Sequence, residues 1–421
     1  ELWILDPADL TGLSSGSGSG SSSSSSFAYA NDKVSVGTDH SCAIVDNGEL
    51  KCWGNDYYGQ LGNGGSSTSP INAPSSTAID LGTGRTAVTV FAGWRHNCAI
   101  LDNGDLKCWG YDHSGQLGDG GTNTHVHAPS STAIDLGTGR TAVAVSAGEL
   151  HTCAILDNGD LKCWGRDNHG QLGDGGSNTD TTAPSSTAID LGTGRTAVAV
   201  SAGELHACAI LDNGDLICWG RDNHGQLGNG ETITGAQTSP PSTAIDLGTG
   251  RTAVAVSAGS DHTCAILDNG DMKCWGRDNA GQLGIAGSSS DITAPSSTAI
   301  DLGTGRTAVA VSAGHEHTCA ILDNGDLKCW GRDSDGQLGN GGSNTNTNAP
   351  STAIDLGTGR TAIAVSAGYK HTCAIVDNGA MKCWGDNYQG ALGNGGNTDQ
   401  TSPVAVSGSN TWDSSTGASS G

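Results

Sequence analysis

Fourteen cysteines fall into seven pairs, each pair ten residues apart: Cys42 and Cys52, Cys98 and Cys108, Cys153 and Cys163, Cys208 and Cys218, Cys264 and Cys274, Cys319 and Cys329, Cys373 and Cys383. A histidine stands two residues before the first cysteine of every pair, at His40, His96, His151, His206, His262, His317 and His371. Two chemistries suit this set. Opposed thiols oxidise to disulfides, and one imidazole with two thiolates can hold zinc. A structural zinc site wants a fourth ligand, and none recurs with the pattern, so oxidation is the favoured reading. The histidines are then expected to be packed side chains whose ring nitrogens bond nearby backbone. Paired cysteines in every unit point to an oxidising compartment, extracellular or at the cell surface.

The segment between the two cysteines must bring them together. Its turn is Asp-Asn-Gly in all seven units. A three-residue loop with Gly in the left-handed region fixes the register. Val45 then faces Glu49, Ile44 faces Leu50, Ala43 faces Lys51 and Cys42 faces Cys52. That places the cysteines at a non-hydrogen-bonded pair, where side chains approach most closely. A two-residue turn would offset them by one and send them to opposite faces. Each short disulfide loop contributes roughly 2–3 kcal/mol on an entropy model.

The pairs belong to a larger repeat. Cys-Trp-Gly recurs at 52–54, 108–110, 163–165, 218–220, 274–276, 329–331 and 383–385. The third unit offers four short strand candidates, at 141–147, 151–156, 160–164 and 186–191, bounded by Gly, Asn and Asp. No helical period is sustained. Four strands repeated seven times predict an all-β fold, a seven-bladed β-propeller of four-stranded antiparallel blades. An open solenoid is the alternative, but no unit looks like a polar cap. The expected division is an N-terminal segment with a Gly/Ser-rich linker at 1–26, the propeller at 27–407 and a flexible tail at 408–421. The chain opens on Glu1 with no visible signal peptide, which is the expectation for a processed form or a piece of something longer.

The unit resembles the regulator of chromosome condensation repeat family. The likeness rests on Gly-x-x-His (Gly148 to His151), on the nine residues 157–165 that end in Cys-Trp-Gly, and on Gly-Gln-Leu-Gly (170–173), recurring in order over about 33–407. It implies a seven-bladed propeller. The family includes a nucleotide-exchange factor that docks on chromatin, a plant ultraviolet photoreceptor and secreted β-lactamase inhibitors. What these share is a propeller face that grips another protein. The photoreceptor likeness reduces to Gly-Trp-Arg-His at 93–96, which occurs once.

Strand direction separates two faces. The Gly-x-x-His loops and the segments after Cys-Trp-Gly emerge on one; the Asp-Asn-Gly and Gly-Thr-Gly-Arg turns emerge on the other. The second is nearly identical in every unit, and the first varies. Units three to six carry Arg166, Arg221, Arg277 and Arg332 at one place, whereas units seven, one and two collect the aromatics. Tyr57, Tyr58, Trp94, Arg95, Tyr111, Tyr369, Lys370 and Tyr388 are therefore the candidate partner-binding residues, for a protein or a glycan. Drift of the terminal copies beside homogenised central ones is the competing account.

Composition excludes other classes. The net charge is -24 at pH 7, from 19 basic and 43 acidic residues, which disfavours nucleic acid and anionic lipid. No apolar run approaches the ~20 residues of a membrane helix, so direct insertion is not expected. Phosphate-loop, zinc-protease and dinucleotide signatures are absent, and an enzyme is not expected. Polar loops such as 173–182 and 340–348 could offer calcium oxygen ligands, but none follows the twelve-residue calcium pattern and a solvated loop is favoured. No cofactor is expected. The sequence reads as a binding or adhesion module; a self-assembling subunit of a surface layer or filament, and an inhibitor-like propeller, are the alternatives.

Overall fold

The computed structural model describes residues 33–412 except 122–124, 177, 288, 343, 351 and 409–410. The linker expected at 1–26 and the tail from 413 onward lie outside the described residues.

Seven antiparallel sheets follow one another along the chain. In the third, an inner strand Ala142–Ala147 pairs with a middle strand His151–Leu156, which pairs with an outer strand Leu161–Gly165. The inner strands converge on a common axis, so their residues there are small: Ala92, Ala147, Ala202, Ala258, Ala313 and Ala367 line the axial channel. Middle strands are sandwiched between neighbouring blades and are buried on both faces, which is why His-Thr-Cys-Ala-Ile-Leu shows no polar alternation.

The hairpin register is the one that the three-residue loop dictates. Ile44 faces Leu50, Ala43 faces Lys51 and Cys42 faces Cys52. Val45 N–H donates to Glu49 O at 2.9 Å, and Gly48 has φ of 80°. All seven pairs are disulfides, with Cα atoms 4.0–4.1 Å apart, the close spacing of a non-hydrogen-bonded pair. No thiolate is left among them to ligate a metal.

The fourth strand differs from expectation. Residues 186–191 form no strand; Ile189 N–H makes a single bond to Leu161 O. Local turns take the remaining groups: Thr187 N–H bonds Ser185 Oγ and Gly192 N–H bonds Asp190 Oδ1. The outer edge is instead covered by Ser67–Ile71, Ile233–Gln237 and Gln400–Ala405 in the first, fourth and seventh blades. In the other four it is met by isolated bridges such as Gly165 to Thr181. Blades are therefore three- or four-stranded, because the Gly-, Ser- and Asn-rich outer segments sustain only short pairing.

One carbonyl locks each blade to the next. Gln116 O accepts from Thr152 Oγ1 at 2.8 Å and from Trp164 Nε1 at 3.1 Å. The seven repeat tryptophans are fully buried there. The last Gly of Gly-Gln-Leu-Gly packs on the same indole: a Cβ on Gly284 would sit 2.6 Å from Trp330 Nε1.

The ring closes in the same way. Ala391 O, which replaces the glutamine carbonyl, accepts from Ser41 Oγ at 2.8 Å and Trp53 Nε1 at 2.9 Å. Val36 N–H donates to Ser366 Oγ at 3.1 Å. Trp412 lies beyond the boundary expected at 407, yet it is buried, bridges to Val45 and meets Trp53 at 5.6 Å between ring centroids. The propeller extends to that residue because the first blade's hairpin offers an apolar seat.

Candidate functional site: the mouth face

The seven buried histidines are structural. His40 Nε2 meets Asn97 Oδ1 at 3.0 Å, and His96, His206, His262 and His317 meet Thr152, Thr263, Thr318 and Thr372 Oγ1 at 2.9–3.0 Å. His371 meets Ser41 Oγ at 2.9 Å. The partner is thus a side chain of the next blade and not backbone, a correction to the sequence reading. Thr152, Thr263, Thr318 and Thr372 donate their own protons to the glutamine carbonyls, so His96, His206, His262 and His317 carry hydrogen on Nε2. Burial pushes the pKa of His40 and His151 down to about 4, and of the other five to about 3, so all seven are neutral near pH 7.

The Gly-x-x-His glycine is set by the same ring. A Cβ on Gly93 would fall 2.5 Å from His96 Cε1 and 2.6 Å from Gly148 O. This packing holds the loops in a collar around the channel. Trp94 N–H bonds Gly148 O, His315 N–H bonds Gly368 O and Tyr369 N–H bonds Gly37 O, at 3.0–3.4 Å. The frame is uniform, and the two residues between Gly and His are free to vary on top of it.

The opposite face is closed by repetition. Arg85, Arg140, Arg195, Arg251, Arg306 and Arg360 pair with Asp102, Asp157, Asp212, Asp268, Asp323 and Asp377 at 3.1–3.3 Å. Such half-exposed pairs contribute little stability individually. They leave that surface nearly the same from blade to blade.

The mouth face has two sectors. In blades three to six the recurring arginines are paired: Arg166 with Glu149 at 3.8 Å, Arg221 and Arg277 with Asp261 at 3.7 and 3.3 Å, and Arg332 with Glu316 at 2.5 Å. Burial opposes ionisation of Glu316, but Arg332, Asn279 and His315 together hold its carboxyl below the ordinary value. Burial and then the neighbouring Glu204 push the Glu149 carboxyl up to about 7, and burial raises that of Glu204.

The other sector brings together most of the candidate aromatics. Tyr58 meets Tyr57 and Tyr111 edge-on, each at 4.8 Å, and His125 at 5.0 Å. Arg95 lies over the Tyr58 ring at 5.2 Å, with its Nη1 3.5 Å from the phenol oxygen. Trp94 and Tyr369 meet edge to face at 5.8 Å across the channel mouth. A cleft of ≈ 210 Å³ is lined by Asp39, Tyr57, Tyr58, Trp94 and Arg95. Burial and then Asp386 raise the Asp39 carboxyl. Lys370 pairs with Asp335 at 3.5 Å, and Tyr388 stands 73% exposed on its own segment, apart from the cluster. His113 and His125, which stack on Tyr111 at 6.0 and 5.2 Å, escaped the sequence reading, which takes only Trp and Tyr as aromatic anchors, although His113 holds the repeat position of Tyr57 and Tyr388.

Comparison with known proteins places this architecture. The RCC1-like domain model matches residues 127–421, and regulator of chromosome condensation (RCC1) repeat models match 32–60, 47–100 and 87–116. The chain belongs to the RCC1-like family. It is 31% identical over 324 residues to the ultraviolet-B receptor UVR8 of Arabidopsis thaliana, covering 76% of this chain and 70% of that one. It is 29% identical over 391 residues to the secretion-regulating guanine nucleotide exchange factor of Bos taurus, covering 87% and 80%. The solved structure of Prp20p from Saccharomyces cerevisiae matches with a TM-score of 0.74 at 20% identity, covering 90% and 88%, and shows the fold alone. Prp20p binds Gsp1p and histones. An RCC1-like propeller is a protein-binding kind of module, and the mouth face is where this one varies. Among the described residues no group of three or more His, Cys, Asp or Glu could hold a metal ion, and no helix is long and apolar enough to cross a membrane.

Proposed function

We propose that this chain is an extracellular or cell-surface protein-binding module that grips its partner with the mouth face. The observation that carries the reading is the Tyr57–Tyr58–Tyr111 cluster with Arg95, mutually supported and accessible, on a face whose opposite is covered by repeated ion pairs. Tyrosine, tryptophan and arginine are the residues that most often anchor protein interfaces. Prp20p, of the same fold, binds Gsp1p and histones, which supports the class and not the identity of the partner. The seven disulfides support the compartment, since cytosolic reductants keep such thiols open.

The test uses the intact oxidised chain, labelled and presented to cell surfaces and to a panel of secreted proteins. Saturable binding is expected that falls with Tyr58→Ala and Trp94→Ala and stays with Arg140→Ala on the opposite face. Equal loss with all three variants overturns the reading of the face. Thiol counting by mass spectrometry on natively isolated material tests the compartment: fourteen free thiols would overturn it.

A further inference from the structure

The collar of loops encloses a well of ≈ 80 Å³ at the channel mouth. That is room for several waters, enough for one side-chain head and not for a folded element. Its rim is split chemically. On one side Trp94 and Tyr369 meet edge to face at 5.8 Å, with His315 against Tyr369 at 4.0 Å. On the other stand Glu149 and Glu204, whose side chains are only 14% and 18% exposed. Ser260 Oγ donates to Glu204, His315 Nε2 stands 3.9 Å from the same carboxyl, and Arg166 reaches Glu149 only at 3.8 Å from outside the rim. No lysine or arginine lines the well, and burial keeps the pKa of His315 below its ordinary value.

We propose that this axial well receives one basic side chain, the ammonium or guanidinium of a lysine or arginine carried by a protein partner. The inference rests on the mouth face being the gripping face and gives that face a chemistry. A cation is what both halves attract: the carboxylates by Coulomb force and the ring faces through their quadrupoles. An apolar head would add desolvation to two half-buried carboxylates without neutralising them, and an acidic one would repel them. Burial and the neighbouring Glu204 already push Glu149 towards its neutral form, and the charge of an incoming cation favours the ionised form again. The surrounding charge of -24 favours encounter with basic surfaces.

The experiment titrates the intact chain, labelled with nitrogen-15 on tryptophan, with acetylated and amidated tripeptides. These carry lysine, arginine, norleucine or glutamate between two glycines. The Trp94 indole resonance, assigned by its loss in Trp94→Phe, is the readout. Saturable shifts are expected with lysine or arginine and none with norleucine or glutamate. The double variant Glu149→Gln with Glu204→Gln is expected to weaken binding at least tenfold, and Glu149→Lys, which supplies its own ammonium, to abolish it. Melting temperature and disulfide count report whether these variants are folded. Equal shifts with norleucine, or an unaffected folded double variant, overturn the proposal. Tyr58→Ala is expected to leave tripeptide binding intact. If the tripeptides fail while Tyr58→Ala still abolishes partner binding, the gripping face stands and the well's chemistry falls.

Discussion

His96 Nε2 lies 3.0 Å from Thr152 Oγ1, and that hydroxyl donates onward to Gln116 O at 2.8 Å, so one side chain ties two blades together. The arrangement recurs around the ring with one gap. Ala207 occupies the place of that threonine in the fourth blade, and both ring nitrogens of His151 are buried without a partner. An unmet buried polar atom costs about 1–3 kcal/mol. Ala207→Thr is therefore expected to stabilise the protein by about 1 kcal/mol, because the equivalent sites accommodate the same side chain. A higher urea midpoint at unchanged slope checks it. A lower midpoint would mean that this interface has repacked around the alanine.

The same histidines set the response to acid. Their folded pKa values of about 3 to 4 lie below the ordinary 6.5, so between those limits the unfolded chain binds protons that the folded chain refuses. Their contribution is complete above pH 6.5 and is lost as pH falls, at about 1.4 kcal/mol per unit for each histidine. Asp112, Asp167 and Asp278 act oppositely. Burial raises each from 3.8 to about 6, so their contribution is present at low pH and lost as pH rises towards 6. Between pH 4 and 6 the three aspartates offset only three of the seven histidines, so stability should already fall with falling pH there, with a net slope of about four protons. Below pH 4 the carboxyls are protonated in both states and the histidines act alone, so melts recorded from pH 3 to 8 should collapse steeply at the acid end. His262→Gln is expected to lower the slope there by about one proton.

The cysteine register was legible in the sequence because Asp-Asn-Gly leaves one loop length that lets Cys42 meet Cys52. The two faces were legible because strand direction alternates. What escaped lay between units. The partner of His96 is 56 residues away in a near-identical repeat, and no pattern within one unit distinguishes a neighbour's hydroxyl from nearby backbone. Residues 186–191 carry strand-like Ile and Leu, yet those side chains serve packing between blades while local turns take the backbone. Trp412 sits in a Ser- and Gly-rich stretch that composition reads as a tail, and only the ring's closure supplies its seat. Of the well, the Gly-x-x-His loops put Trp94, Glu149, Glu204 and Tyr369 at one equivalent place on the mouth face, but the pattern within a loop did not show that Trp94 and Tyr369 meet each other.

Removing one disulfide should weaken the chain without opening the ring. Cys208→Ala with Cys218→Ala releases a single ten-residue link and is expected to cost about 2–3 kcal/mol. The six other links and the interblade bonds to Gln171 O and Gln226 O remain. Thermal unfolding should stay a single transition at lower temperature. Loss of cooperativity would mean that each bridge holds its blade independently of its neighbours.

Trp412→Ala tests the closure. The side chain is 2% exposed against Trp53 and Val45, and large-to-small changes at such sites cost about 3–5 kcal/mol. Because the contact joins the chain's end to its first blade, hydrogen exchange should rise first in the hairpin from His40–Ile44 to Leu50–Asp56, ahead of the central blades. Uniform acceleration in all seven blades would mean that the ring opens as one unit.

Tyr58 is the residue on which the gripping face depends most. It is braced by Tyr57, Tyr111 and His125 and covered by Arg95, so its ring is held in place before any partner arrives. Pre-ordered aromatic side chains lose little entropy on binding, and truncating such an anchor commonly costs 2 kcal/mol or more. With a partner in hand, Tyr58→Ala should therefore weaken binding by at least tenfold, mainly through faster dissociation. Tyr58→Phe keeps every ring contact and loses only the oxygen 3.5 Å from Arg95, so its effect should stay within about threefold. The side chain is only partly buried, and Tyr58→Ala should shift the melting temperature little. Kinetic traces for the two variants decide the matter: equal losses from alanine and phenylalanine would place the energy in the hydroxyl, and no loss from either would move the anchor away from this cluster.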